Sequence, residues 1–216
     1  MRLLEAALRL MAEKVMDCVA ISEITEAADV GFGSFYNHFE SKEGIFTALI
    51  EWVFEEFADT LDRLASGLSD PAEVIAVSVR HTLMRARCEP LWGKFLIREG
   101  FSMRALDRAL GQRLRRDSER GIATKRFVVD DPLMSILSIK GTVLAAIAVE
   151  LHFAASLLPA TRRQKALGIG DEDFPERAAV VVLQALGLKR VEAEKIATRP
   201  LPVAGLEFES RLREIC

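Results

Sequence analysis

Apolar residues recur at intervals of three and four along almost the whole chain, and no segment sustains the period-two alternation of a half-buried strand. That periodicity confines the fold to helices. Leu4, Leu8, Met11 and Val15 form the first stripe, on an amphipathic helix of about four turns. A shorter helix follows over roughly 21–28, with Ile24, Ala27 and Ala28 inward, and then an apolar–polar segment over 32–39. Ser41 reads as the N-cap of a long helix running to about Ser66, with Glu43 in its first turn, where the helix dipole favours an acid. Phe46, Leu49, Val53, Phe57, Leu61 and Leu64 keep register along that helix. Further helical patterns cover about 72–88, 91–99, 104–127, 132–158, 176–186 and 191–198, with Gly187 as a C-cap. The one β-branched cluster, Val180–Val182, sits inside a helical stripe. The expected class is all-α.

Half of the 216 residues are apolar and 28% are charged, the balance of a soluble globular protein. A net charge of −3 excludes a globally cationic surface, so any nucleic-acid contact has to be local. Cys18, Cys88 and Cys216 lie at unrelated spacings with no C-x-x-C pair, which supports neither a zinc ribbon nor a disulfide framework and fits a reducing cytoplasm. The N-terminus runs straight into helical periodicity without a signal-peptide pattern. The longest apolar region, 133–158, is broken by Lys140, Glu150 and His152. Its longest uncharged stretch is Gly141–Val149, too short for a membrane span, and no membrane partner is expected. Gly67–Pro71 is the first clear punctuation and divides the chain into 1–66 and 67–216.

The stretch Ile21–Lys42 reads as two short helices joined by a tight turn and linked to a long helix, the layout of a helix-turn-helix. Phe35 and Phe39, four apart, face the core. Ser34, Tyr36, Asn37 and His38 are left outward, a run of hydrogen-bonding side chains with little charge. Gly33 removes a side chain where backbone would approach a phosphate, and Lys42 lies beside a helix N-terminus that favours anions. The competing reading is an ordinary solvated face, since short helix pairs occur in any all-α protein. The local charge favours that competitor: residues 1–66 hold five Lys or Arg (Arg2, Arg9, Lys14, Lys42, Arg63) against thirteen Asp or Glu.

The segments Leu3–Lys14, Ile21–Val30 and Gly33–Glu43, with the run Phe35-Tyr36-Asn37-His38-Phe39 followed by Ser41-Lys42-Glu43, resemble the DNA-binding domain of the TetR (tetracycline repressor) family over about the first 50 residues. The resemblance implies an N-terminal three-helix helix-turn-helix domain followed by a larger helical ligand-binding and dimerisation domain. It implies a sequence-specific transcriptional regulator, a repressor released from a palindromic double-stranded DNA operator by a small apolar or aromatic effector. Tyr36 and His38 would contact phosphates or the groove, Ser34 and Asn37 bases or backbone, Lys42 a phosphate, and Ser22 the backbone. The chain departs from the common pattern in several places. Asp29 replaces a turn glycine, Val15 replaces another glycine, Ala20 lacks a capping hydroxyl, and Phe32 stands where a polar residue is usual and can meet a thymine methyl.

In the larger half, 133–158 is apolar almost all round, with Gly141, Ala145, Ala146 and Ala148 among bulkier residues. It is either a central core helix or, as the resemblance implies, one half of a homodimer interface shared with 176–186. Ala178, Val181, Val182 and Ala185 would supply the second surface. His81, Met84, Trp92, Phe95, Leu96, Phe101 and Met103 are the candidate ligand-binding residues, in a region equally explained as plain core. Residues 104–126 carry eight cations against three acids, which reads as a solvated face, a partner for the acidic first segment, or a second nucleic-acid surface. No catalytic or metal-binding residues are nominated and no cofactor is expected. The rival class is an all-α small-molecule-binding protein or enzyme that keeps the helix-turn-helix only as scaffold.

Overall fold

A computed structural model of the chain describes residues 1–102, 109–154, 168 and 171–202, and among these every regular element is helical. Helix α1 spans Arg2–Glu13, α2 Ile21–Ala27, α3 Phe32–Tyr36 and α4 Lys42–Ile50. One π-helical turn, Glu51–Glu55, carries α4 without a break into α5, Glu56–Ala65. Then follow α6 (Pro71–Cys88), α7 (Pro90–Glu99), α8 (Ala109–Ala123), α9 (Pro132–Ala154), α10 (Phe174–Ala185) and α11 (Arg190–Ala197).

Local chemistry sets most of these boundaries. The Ser41 Oγ accepts from the Gly44 N–H at 3.1 Å and caps α4. Asp70 caps α6 by accepting from the Ala72 N–H at 2.9 Å, with Pro71 in the first turn, where its missing N–H is harmless. Ala20 offers no capping oxygen, but Glu23 supplies the other half of the box by accepting from the Ala20 N–H at 2.9 Å. Gly187 ends α10 at φ +90°, and a Cβ there would stand 2.4 Å from the Val128 carbonyl oxygen. No other residue meets both demands.

The buried stripe of α1 runs through Leu3, Ala7 and Met11, one position from the stripe expected, and Val15 falls beyond the helix end and is exposed. All six expected apolar positions of the α4–α5 rod are buried. The π turn inside that rod carries no Pro or Gly to announce it. Cys18 is a free, exposed thiol.

Helix α6 is the central strut, packed by α5, α7, α8, α9, α10 and α11, while α1 rests on α2, α4 and α7. One apolar core extends from Leu3 to Ala197 and passes under the Gly67–Pro71 punctuation without interruption. Arg80 on α6 ties down the far end, donating to the Arg199 carbonyl at 2.6 Å and pairing with Glu176. By length and composition α9 is apolar enough to cross a membrane, more so than the interrupted run suggested. It packs against α6, α7, α8 and α10 on one side, and only 17% of its apolar window is buried within the chain.

Candidate nucleic-acid interface and cavity

The turn between α2 and α3 depends on Asp29, which adopts the left-handed φ of +52°. Aspartate tolerates that region better than most residues. The Arg2 guanidinium holds it there, donating to the Asp29 carbonyl at 3.1 Å and to its carboxylate at 2.9 Å. Phe35 anchors α3 from beneath with no exposed surface, and its ring meets Tyr36 edge-on and Phe39 at a tilt. With Phe35 inward, the neighbouring positions must turn outward. Ser22, Phe32, Gly33, Tyr36, Asn37 and His38 are exposed, while Ser34 and Lys42 are half-buried. Phe32 and Tyr36 are each more than half exposed and meet edge-on, 5.7 Å between ring centroids. Ser34 and His38 line a shallow groove with Arg2 and Val30. Lys42 donates to the Asp17 carbonyl at 3.1 Å, so its ammonium braces the loop after α1.

The second feature is a partly open cavity of about 120 Å³ lined by α5, the π turn, α6, α7, α8 and α9. Phe54, Leu61, Val74, Ile75, Val79, Leu96, Leu110, Leu114, Ile139, Val143 and Leu144 form apolar walls. Asp62, Ser78, Thr82, Arg113, Asp117 and Lys140 bring polar atoms. Asp62 accepts from Arg113 at 2.8 Å and from Arg116 at 2.7 Å. Burial works against its ionised form, but those two guanidinium bonds prevail and hold the carboxyl below its usual range. Arg113 also reaches Glu55 and Asp59, so α8 grips both the π turn and α5. The arginine-rich stretch thus partners the acids of the first segment. Lys140 lies with its Nζ buried and without a hydrogen-bond partner, and burial pulls its pKa down to about 8.

This is not the cavity the sequence pointed to. Of the candidate ligand residues that the structure describes, Leu96 lines it, while Trp92 lines a separate recess with Trp52, Arg85 and Leu91. Phe95 is fully buried, stacked on Phe54 and edge-on to Phe46. Trp92 is wedged against Phe54 and Phe57, and its Nε1–H donates to the Val53 carbonyl at 3.3 Å. His81 is buried away from the walls, and burial, with Arg80 adding to it, lowers its pKa to about 4. Met84 is half-buried and does not line the cavity, Phe101 is mostly exposed, and Met103 lies outside the described residues. Large apolar side chains at helical spacing mark a core, and core and pocket wall look alike in a sequence. The residues missed, Asp62, Arg113, Asp117 and Lys140, left traces: Lys140 breaks an apolar run and Arg113 faces acids far away in the chain.

On α9 and α10 the outer faces remain uncovered within one chain. Met134, Ser138, Ala145 and His152 form an exposed line on α9, and Val181 and Ala185 are exposed on α10. Ala178 and Val182, expected on that outer surface, are buried within the subunit because they face α6 and α9.

Comparison with known proteins bears on both features. Residues 3–49 match the family described as bacterial regulatory proteins, tetR family, and residues 70–199 match the tetracyclin repressor-like C-terminal domain. Over 101 residues the chain is 36% identical to the HTH-type transcriptional repressor DhaR of Mycobacterium sp. (strain GP1), covering 47% of this chain and 49% of that one. It is 33% identical over 70 residues to the repressor KstR2 of Mycobacterium tuberculosis, covering 35% of that protein. The chain therefore spans half or less of the curated relatives it matches. Among solved structures, RolR in complex with resorcinol is 37% identical, covers 94% of both chains and superposes with a TM-score of 0.65. SmeT, the repressor of a Stenotrophomonas maltophilia multidrug efflux pump, shares the fold at 20% identity and a TM-score of 0.64.

Proposed function

The chain belongs to the TetR family of bacterial transcriptional regulators, and from that premise we propose that it is a cytoplasmic homodimeric repressor released from a palindromic DNA operator by a small hydroxylated aromatic effector. The observation that carries the proposal is the continuous α4–α5 rod. One end abuts the exposed α3, and the other end supplies Phe54, Leu61 and Asp62 to the cavity.

On this reading Tyr36, His38, Ser34, Asn37, Phe32, Gly33 and Ser22 form the surface laid into the major groove, with Lys42 beside it. The exposed lines on α9 and α10 meet their two-fold mates, small residues such as Ala145 permitting close approach. Two α3 helices then face half-sites roughly one turn of DNA, about 34 Å, apart. The cavity is apolar with a few hydrogen-bonding groups, the chemistry of a substituted benzene, and RolR was crystallised with such a molecule. An effector seated against Phe54 acts on the π turn, where Arg113 holds Glu55 and Trp92 holds the Val53 carbonyl. A hundredfold preference for the arrangement with wrongly spaced α3 helices supplies about 2.7 kcal/mol of coupling, enough to empty a moderately occupied operator. The relatives' names as repressors do not favour the rival reading of an enzyme or binding protein with a scaffold helix-turn-helix.

The test is selection of duplexes from a random pool by the purified chain, followed by challenge with small hydroxylated benzenes, resorcinol and 3-hydroxybenzoate among them. The expected result is an inverted repeat bound by two chains and released by at least one of them. A pool that never enriches would refute the DNA-binding assignment.

A further inference from the structure

Lys140 is the charged group of the cavity wall to which the described residues offer no counter-charge. The other ionised groups there are already answered. Asp62 takes hydrogen bonds from Arg113 and Arg116, Asp117 pairs with Arg116, and Arg113 is spread over Glu55, Asp59 and Asp62. Among the described residues the Lys140 Nζ is buried with no hydrogen bond, and the Phe101 ring centroid lies 5.9 Å from the nitrogen. Around it α9 presents Ile139, Val143 and Leu144, all lining the same space. An ammonium in such surroundings is costly unless something pairs with it.

We propose that Lys140 receives the carboxylate of an aromatic acid, so that the effector is a hydroxybenzoate-like anion rather than a neutral dihydroxyarene. This rests on the reading of the cavity as the effector site and names what that site selects. The volume of about 120 Å³ limits the occupant to a single small ring, whose substituents must use the open side of the site. For comparison, an apolar cavity of roughly 150 Å³ is known to hold benzene. The polar groups are divided by charge: the carboxylates of Asp62 and Asp117 accept from a ligand hydroxyl, and Lys140 donates to a ligand anion. Even with its pKa drawn down to about 8 by burial, Lys140 is protonated in most molecules at neutral pH, so the pocket holds a positive charge before any ligand arrives. A carboxylate brings the matching charge already formed. A phenol at that pH is neutral and offers an ordinary hydrogen bond.

The experiment compares 3-hydroxybenzoate with resorcinol, the same ring with a carboxylate in place of one hydroxyl, by calorimetric titration of the full chain and of Lys140→Met. Wild type is expected to bind 3-hydroxybenzoate about tenfold more tightly than resorcinol. Lys140→Met is expected to lose that preference, weakening 3-hydroxybenzoate by about tenfold or more while resorcinol changes by less than about threefold. Thermal unfolding guards the comparison, because removing an unpaired buried ammonium should raise the melting temperature of the variant. Equal weakening of both ligands, or unchanged 3-hydroxybenzoate affinity in the variant, overturns the assignment of Lys140. Wild type binding resorcinol but not 3-hydroxybenzoate overturns it too and leaves the effector site standing. If neither ring binds wild type, the effector reading falls, and the Lys140 proposal falls with it.

Discussion

The proposed DNA surface and the cavity are both assembled from helices, yet they use the chain in opposite ways. The first draws on about twenty consecutive residues, where burying Phe35 obliges Tyr36, Asn37 and His38 to face out. The cavity gathers Asp62, Ser78, Leu96, Arg113 and Lys140 from five helices, and none of them predicts where the others will be. A local surface tolerates change in its exposed residues without disturbing the fold. A recess between helices shares walls with the core, so its residues serve stability and binding together.

The contrast is sharpest at Phe95, which the sequence offers as a ligand contact and the structure places in the core. Phe95→Ala is expected to lower unfolding free energy by about 3–5 kcal/mol in urea titrations, since it empties the stack between Phe46 and Phe54. A near-normal stability with selectively altered effector affinity would instead make Phe95 part of the pocket.

His81 comes next in size. Its folded pKa of about 4 lies below the ordinary 6.5 because burial disfavours the charged ring and Arg80 repels it. The unfolded chain therefore takes up a proton near pH 6.5 that the folded chain refuses until about pH 4. Stability from the neutral ring is complete above pH 6.5 and is lost as pH falls towards 4, by roughly 2–3 kcal/mol. His81→Leu should flatten that acid limb in denaturation curves measured between pH 7 and 4. An unchanged limb would show that His81 is not held neutral by the fold.

The smallest effect on stability belongs to the exposed surface. Tyr36→Ala removes a half-exposed ring that meets Phe32 and Phe35 edge-on, so unfolding should shift by less than about 1 kcal/mol. Operator affinity, followed by fluorescence anisotropy, should fall by about tenfold. A variant that unfolds readily, or binds the operator as its parent does, would erase the distinction between the two regions.

Much of the fold was legible because it rests on short-range chemistry. The Ser41 cap, the left-handed Asp29, the Gly187 terminator and the six-residue stripe of α4–α5 all concern residues within a few turns of one another. The π turn was not legible. Its apolar stripe continues through Glu51–Glu55 unchanged, and the wider turn is met by Trp92 and Arg113 from elsewhere in the chain. The outer face of α10 was half-legible: Val181 and Ala185 are exposed as expected, but Ala178 and Val182 are taken by packing inside the subunit.

By itself the amino-acid sequence determined that the chain is helical, roughly where most of its helices lie, and that Tyr36, Asn37 and His38 face outward, because each depends on periodicity and on neighbours along the chain. Tertiary structure alone decided which apolar side chains are core and which are wall, and which charges are answered. Lys140 looks like an interruption in an apolar run until α6, α7 and α8 pack against α9. Only then is its ammonium buried without a partner, since burial and pairing depend on residues distant in sequence that the fold brings within a few ångströms.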